Sequence, residues 1–174
     1  MTAPDAAMII RALTPADAEP YLPVRREALE MEPFAFGSSP EDDRASSIEF
    51  LRTAFARTDQ ATFGAFAPGL VGTVGISRDG TRKGAHKALI WGMYVRADQR
   101  GRGVGRRLME EALGFARRNF LGVTHVQLCV SDRGLAAAAL YQSLGFRVWG
   151  SEPAGLCVNG VLTTEHHMVL VLEG

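Results

Sequence analysis

The stretch that decides the fold of this chain is Gln99-Arg100-Gly101-Arg102-Gly103-Val104-Gly105. It follows a strand-like apolar run, 89–95, and opens a run with helical periodicity, 104–120. Alternating glycines allow positive φ angles and let backbone N–H groups approach a ligand closely. A helix that begins in such a loop directs free N–H groups and the positive end of its dipole at an anion. The stretch therefore predicts a phosphate or pyrophosphate site, to which the two arginines add charged donors.

Two well-known phosphate loops fit this stretch poorly. The dinucleotide fingerprint requires Gly or Ala three residues after its second glycine, where this chain has Arg106 or Leu108. The P-loop requires Gly-Lys-Ser/Thr at the start of the helix, whereas two arginines follow Gly105. The remaining interpretation is a short Arg-x-x-Gly-x-Gly loop. A nucleotide-binding domain stays as an alternative, and it predicts that ATP competes for the loop.

A second motif lies downstream, in a strand end, 128–130, followed by the helix-like run Ala137-Ala138-Ala139-Leu140-Tyr141-Gln142-Ser143-Leu144-Gly145-Phe146. The first motif resembles the coenzyme A pyrophosphate loop of the GNAT superfamily of N-acetyltransferases. The second resembles that family's Ala-x-x-Leu-Tyr-x-x-x-Gly-Phe signature, and the resemblance covers nearly the whole chain. It implies an enzyme that transfers acetyl from acetyl-CoA to a primary amine of a small molecule or peptide. Direct attack in a ternary complex is the expected mechanism, with no metal.

The resemblance also assigns roles to individual residues. Tyr141 matches the tyrosine whose hydroxyl lies near the coenzyme A sulfur, where a phenolic O–H can donate to the leaving thiolate. A backbone N–H near Met93 would stabilise the oxyanion that develops on the thioester. The residues expected to hold the cofactor are Met93, Val95, Arg100, Gly101, Arg102, Gly103, Val104, Gly105, Gly134 and Ala137.

Two departures from the family pattern leave a different function open. Gly134 stands where many relatives have an Asn that contacts pantetheine, so that contact is lost, replaced by a backbone N–H, or supplied by Ser131 or Asp132. Leu89 stands where some relatives have a Glu base. Nearby titratable side chains are His86, Asp98, Glu32 and Glu165, and a water chain could relay the proton instead. The alternative is a non-catalytic acyl-CoA-binding sensor or regulatory module, against which the retained tyrosine argues.

Candidate acceptor residues come from two apolar stretches. Phe34, Phe36 and Trp91 could wall an acceptor pocket, with Glu32 attracting an amine cation. The competing interpretation is that the two phenylalanines pin their loop to the core, which is the commoner fate of aromatic side chains in an apolar stretch.

Composition and charge favour a cytoplasmic globular protein. The 174 residues are 47% hydrophobic and 22% charged, and the net charge of zero disfavours nucleic-acid or anionic-membrane partners. No run is long enough to span a membrane, and no signal peptide is evident. Cys129 and Cys157 have neither metal nor disulfide spacing, and their apolar surroundings predict buried, inert thiols. We expect a disordered tail over 1–7 and one N-acetyltransferase domain over 8–174.

The predicted elements follow the order β-α-α-β-β-β-α-β-α-β-β, which indicates an α/β chain of mixed α+β type, with a mixed sheet and helices on both faces. The resemblance implies a mostly antiparallel sheet of six to seven strands with a splayed strand pair, flanked by about four helices. Pro20 and Pro23 predict a broken first helix, and a second helix is expected from 39–40 to about 57. His166 and His167 alternate on a closing strand, which predicts no joint metal site. Exposed edge strands invite pairing, so a homodimer stays open.

Overall fold

A computed structural model describes residues 8–172. The predicted disordered tail, 1–7, lies outside the described residues. Residues 8–172 contain seven strands: β1 (Ile9–Ala12), β2 (Gln60–Phe66), β3 (Leu70–Arg78), β4 (Lys87–Val95), β5 (His125–Ser131), β6 (Arg147–Val158) and β7 (Val161–Val171). Four α-helices accompany them: α1 (Ala18–Met31), α2 (Ile48–Phe55), α3 (Val104–Asn119) and α4 (Leu135–Ser143). The order of elements is the predicted one.

All seven strands form a single sheet in the order β1-β2-β3-β4-β5-β7-β6. Every neighbouring pair is antiparallel except β4 and β5, which run parallel. The β4–β5 pairing covers only Lys87–Leu89 against His125–Gln127, so the two strands separate toward their carboxyl ends. The predicted mostly antiparallel sheet with a splayed strand pair is therefore confirmed, and the splay opens a cleft in the middle of the sheet.

Two hydrophobic cores lie on opposite faces of the sheet. One packs α3 and α4 against the central strands, with Leu108, Met109 and Val126 fully buried. The other packs α1 and α2 against the first strands, with Tyr21 and Leu51 almost without exposure. Because α1 and α2 cover only the β1–β4 side, the same face of β5, β6 and β7 carries half-buried and exposed side chains. This uneven cover leaves the acceptor side of the cleft accessible.

The first helical region differs from the prediction. Thr14 and Asp17 cap a short 3-10 turn, as the sequence indicated. However, α1 then continues without a break from Ala18 to Met31 through both prolines. Pro20 lies in the first turn, where backbone N–H groups have no intrahelical partner, so it costs little there. Pro23 removes one internal hydrogen bond, which the buried face of α1 offsets.

The second helix begins later than predicted. Ser39 and Asp42 form a closed turn, in which the Ser39 N–H donates to the Asp42 carboxylate over 2.6 Å. Arg25 holds Asp43 against α1 through two hydrogen bonds of 3.0 and 2.9 Å. The segment is therefore fixed to α1, and α2 starts only at Ile48, where the Ser47 hydroxyl accepts from the Phe50 N–H.

The prediction of two buried thiols is wrong. Cys129 on β5 and Cys157 on β6 are both exposed and free. Both lie in apolar runs of sequence. However, Cys129 lies on the sheet face that α1 and α2 leave uncovered, and Cys157 lies near the outer end of the β6–β7 hairpin. The hairpin turn itself is as predicted, since Asn159 and Gly160 both have positive φ angles, 49° and 79°. Among the described residues, no helix is long and apolar enough to cross a membrane.

Candidate active site

The splay between β4 and β5 opens two adjoining cavities. The first, the cofactor cavity, has a volume of about 480 Å³ and lies against the glycine loop and the first turn of α3. The second, the acceptor cavity, has a volume of about 590 Å³ and lies against α1, the 34–38 loop, β5 and β7. Seven of the lining residues are common to the two cavities: Glu32, Ala35, Met93, Arg133, Gly134, Ala137 and Tyr141. These shared residues form the junction through which a group in one cavity meets a group in the other.

The glycine loop shapes the cofactor cavity with backbone atoms. Gly101 and Gly103 have φ angles of +74° and +76°, which L side chains rarely adopt, and an added Cβ on either would meet open space. Gly103 is the N-cap of α3 and has no side-chain cap, so the first N–H groups of this helix stay available to a ligand. Gly105 serves packing instead, because an added Cβ would lie 3.0 Å from the Met93 side chain.

The arginines of the loop have different surroundings. The Arg100 guanidinium donates to the Val95 carbonyl over 2.8 Å and to the Glu32 carboxylate over 2.7 Å. It therefore ties the loop to β4 and to the end of α1. Arg102 is exposed and does not line the cofactor cavity, whereas Arg106 does, and it donates to the Ser143 hydroxyl over 2.6 Å. Arg106 is not among the cofactor residues expected from the sequence, although its place in the first turn of α3 and in a cluster of arginines was a usable signal.

The other expected cofactor residues lie around the junction. Met93, Val95, Gly134 and Ala137 line the cofactor cavity together with the loop, 100–105 except Arg102. Gly134 precedes α4, and an added Cβ would lie 3.0 Å from Val130 and 3.2 Å from the Ser131 carbonyl oxygen. A side chain at this position would crowd β5, which gives a packing reason for the glycine where many relatives have Asn.

Strand β4 contains a bulge where it passes the junction. Between Trp91 and Tyr94, two residues of β4 oppose the single residue Val74 of β3. Gly92 supplies the φ angle of +63° that the bulge requires, and its carbonyl accepts a hydrogen bond of 3.1 Å from the Thr73 hydroxyl. The bulge interrupts the β3–β4 ladder at Met93, which is one of the junction residues.

Tyr141 lies at the junction, on the buried side of α4. Its side chain is 5% exposed and packs against Phe146. Burial raises the pKa of Tyr141 to about 12, so its hydroxyl stays protonated at neutral pH. A protonated phenol at the meeting point of the two cavities can donate a hydrogen bond or a proton, and it cannot serve as a base there.

The expected acceptor residues all line the acceptor cavity. Phe34 carries the Arg133 guanidinium over its ring at 4.7 Å, and Phe36 is buried with Arg25 at 5.1 Å. Phe36 thus pins its loop to the α1–α2 core while one edge faces the cavity. Trp91 lies flat over Gly75, where an added Cβ would come within 2.4 Å of the indole. Glu32 is paired with Arg100, so its charge is already compensated.

Among the titratable side chains considered as bases, the structure brings only Glu165 into the acceptor cavity without a cationic partner. His86 and Asp98 do not line either cavity, and Glu32 is ion-paired. Partial burial raises the pKa of the Glu165 carboxyl above its ordinary value. The charges of Glu152 and Asp132 act in the same direction, and His167 and His166 oppose them.

Three further residues line the cavities, and only Ser131 among them is expected from the sequence to have such a role, as a possible replacement for the missing Asn. Arg133 reaches both cavities, Ser131 lies opposite Glu165 in the β5–β7 ladder, and Cys129 lines the acceptor cavity beside them. The signal for all three was their place on one strand end that leads into α4, but nothing in the sequence shows which strand pairs with β5. Within residues 8–172, no group of three or more His, Cys, Asp and Glu side chains is arranged to hold a metal ion.

Comparison with known proteins agrees with this architecture. A profile of the Acetyltransferase (GNAT) family matches residues 23–146. The N-alpha-acetyltransferase RimI of Mycobacterium tuberculosis is 36% identical over 148 residues, which are 84% of this chain and 83% of that protein. The chain therefore belongs to the GNAT family of acetyltransferases and is an enzyme of that class.

Solved structures share the fold over almost the full length. A GCN5-related N-acetyltransferase from Kribbella flavida is 28% identical, with a TM-score of 0.80 over 95% of this chain and 98% of that one. YncA, a putative acetyltransferase from Salmonella typhimurium solved with its cofactor acetyl-CoA, is 21% identical, with a TM-score of 0.83 over 97% and 96% of the two chains. The second likeness concerns the fold alone.

Proposed function

We propose that this enzyme transfers acetyl from acetyl-CoA to a primary amine by direct attack in a ternary complex, within one domain that spans 8–174. The observation that carries the proposal is the junction, because it joins a pyrophosphate-type loop cavity to an acceptor cavity at Tyr141. A donor thioester reaching from one side and an amine from the other would meet there. Holding both reactants in one cleft supplies most of the rate advantage of such a transfer.

In this proposal the cofactor cavity holds coenzyme A mainly through backbone groups. The N–H groups at the start of α3, after Gly101 and Gly103, donate hydrogen bonds to the pyrophosphate, and Arg106 adds positive charge beside them. The pantetheine arm runs past Met93 and Val95 on one side and Gly134 and Ala137 on the other. That path ends at the junction, where the thioester carbonyl meets the β4 backbone near Met93.

The acid–base work divides between two residues with opposite tasks. Tyr141 donates to the coenzyme thiolate as it leaves, which its raised pKa allows. Glu165 takes the proton of the attacking amine, directly or through a water molecule, because it is the carboxylate in the acceptor cavity that no cation neutralises. Its raised pKa makes it a stronger base than an ordinary carboxylate once it is ionised.

For the acceptor, the structure supports an amine whose neighbouring part is apolar or planar. Phe34, Trp91 and Phe36 provide that surface, and Glu165 lines the same cavity. RimI of Mycobacterium tuberculosis carries the name of an N-alpha-acetyltransferase. A peptide N-terminus is therefore the first acceptor class to offer, followed by free amino acids and polyamines.

The test combines binding with turnover. Acetyl-CoA, coenzyme A, ATP and NADH are titrated by calorimetry, and free thiol release is then followed with a panel of peptide, amino-acid and polyamine acceptors. The proposal expects selective binding of the two coenzyme A species and acceptor-dependent release of coenzyme A. Binding without turnover on any amine would indicate a sensor, and a preference for ATP would indicate a nucleotide-binding domain.

A further inference from the structure

Three side chains on the uncovered face of the sheet form a chain of hydrogen bonds. Cys129 on β5 and His167 on β7 are opposite each other in the ladder, and the Cys129 Sγ lies 3.0 Å from the His167 Nδ1. Glu152 on β6 lies on the same face, with its carboxylate 3.3 Å from the His167 Nε2. On β6, Gly150 is opposite His167 and Glu152 is opposite Glu165, so Glu152 reaches the imidazole diagonally on the same face. We call the three side chains together the row.

The row has the order nucleophile, base, carboxylate. Glu152 accepts from the Nε2–H of His167, which leaves Nδ1 free to accept the Cys129 thiol proton. Trp149 packs against the imidazole with ring centroids 5.4 Å apart and restrains its rotation. A thiol within hydrogen-bond reach of an imidazole that a third group orients is the arrangement that activates a cysteine for acyl chemistry.

The Cys129 thiol belongs to the lining of the acceptor cavity, next to the junction where an acyl group would arrive. Cys129 is exposed and lines the acceptor cavity together with junction residues Met93 and Tyr141. Partial burial raises the pKa of the Cys129 thiol, and the charges of Glu165 and Glu152 add to this effect. The sulfur is therefore protonated at neutral pH, so its attack on a carbonyl carbon requires a base within reach, and His167 is that base.

We propose that Cys129 is a second acyl acceptor of this enzyme, which takes acetyl from acetyl-CoA when no amine fills the acceptor cavity. The inference rests on the proposed use of acetyl-CoA. The Cys129 Sγ forms a bond to the thioester carbonyl carbon while its proton moves to His167 Nδ1. The bond from that carbon to the coenzyme sulfur breaks, and the coenzyme leaves as a thiolate that the His167 imidazolium reprotonates. The products are acetyl-Cys129 and free coenzyme A.

The same row removes the acetyl group slowly. Water attacks the acetyl-Cys129 carbonyl and gives its proton to His167, the carbon–sulfur bond breaks, and the Cys129 thiolate recovers the proton from His167. Acetic acid leaves and ionises in solution to acetate and a proton, and the enzyme is restored. Together the two steps amount to amine-independent hydrolysis of acetyl-CoA, an activity distinct from transfer to an amine.

The experiment incubates the full chain with acetyl-CoA in the absence of amine and maps acetylated peptides by mass spectrometry. The expected result is one acetyl group on Cys129 that neutral hydroxylamine removes, as it does for thioesters and not for amides. His167→Gln is expected to slow this acetylation by roughly 10²-fold, since it removes the base. Cys157→Ser and His166→Gln are the matched controls, because both residues lie outside the row and should leave the modification unchanged.

The outcomes separate this inference from the proposed function. If acetyl-CoA binds and an amine is acetylated but Cys129 stays unmodified, the second acceptor is overturned and the proposed function stands. If acetyl-CoA does not bind at all, both fail. Equal labelling of Cys129 and Cys157 would also overturn the inference, because exposure alone would then explain the reaction. Selective labelling of Cys129 that depends on His167 supports it.

Discussion

The two halves of the cleft are built in different ways. The cofactor half comes mainly from two continuous segments, the β4–α3 connection and the start of α4, and backbone groups do most of its work. The acceptor half collects side chains from α1, the 34–38 loop, β4, β5 and β7. A backbone cradle needs a particular conformation, which glycines encode locally, whereas a set of side chains from distant segments depends on the whole topology. The conformation of the cofactor half is therefore set by a local stretch of sequence, whereas the side chains of the acceptor half can differ from one acceptor to another.

The largest effect is expected at the cofactor half. Gly103→Glu places a carboxylate at the start of α3, where it competes with the pyrophosphate for the same N–H groups and repels it. Calorimetry should show that measurable acetyl-CoA binding is lost. Gly122→Glu is the matched control, because Gly122 has a φ angle of +78°, is equally open, and lies away from both cavities. Each variant is expected to lose about 1–2 kcal/mol of stability, because a side chain is strained in the left-handed backbone conformation. Equal loss of acetyl-CoA binding in both variants would contradict the assignment of the glycine loop to the cofactor half.

At the junction, Tyr141→Phe should reduce kcat by roughly 10² to 10⁴-fold, because the leaving thiolate loses its proton donor. The ring stays in place against Phe146, so acetyl-CoA binding should change little. Steady-state kinetics and calorimetry on the same preparation measure the two quantities. A fall in affinity that accounts for the whole loss of activity would mean that Tyr141 belongs to the cofactor half alone.

In the acceptor half, Glu165→Gln should lower kcat/KM by roughly 10²-fold and leave acetyl-CoA binding intact. The pH profile gives the sharper readout. Only the ionised carboxylate accepts a proton, so the wild-type rate rises as pH increases through the raised pKa of Glu165. The variant should lose this rise in rate and keep the separate pH dependence that comes from deprotonation of the amine acceptor. An unchanged profile would assign the proton to another group or to water.

The smallest expected effect comes from displacing Glu165 without removing it. Gly155 lies in the β6 bulge, and an added Cβ would come within 2.6 Å of the Glu165 Cγ. Gly155→Ala should therefore shift the carboxylate and lower kcat by about tenfold. Gly150→Ala on the same strand is the control, because an added Cβ there has no neighbour within 4 Å. Equal rates for both variants would show that the position of Glu165 is unimportant.

The difference between the two halves of the cleft also explains which features of the fold and the site could be predicted from the sequence. The glycine loop and the flanking elements follow from local signals, such as periodicity, caps and turn residues, and the element order is confirmed. The splayed sheet, which is also confirmed, and the role of Tyr141, which stays a prediction, came from the resemblance to the GNAT motifs. The continuous α1 through Pro20 and Pro23 and the late start of α2 depend on tertiary packing, which local rules do not include. Pairing of β5 with β7 brings Glu165, Cys129 and His167 together, and nothing along the chain shows that register.

The measurement that tests the central claim most directly is a crystal structure with coenzyme A bound. The account predicts that the pyrophosphate accepts hydrogen bonds from the backbone N–H groups between Gly101 and Arg106. It also predicts that the sulfur lies within hydrogen-bond distance of the Tyr141 hydroxyl, at the junction of the two cavities. A pyrophosphate held elsewhere, or a sulfur that points away from Tyr141, would contradict the division of the cleft into a backbone-built cofactor half and a side-chain-built acceptor half.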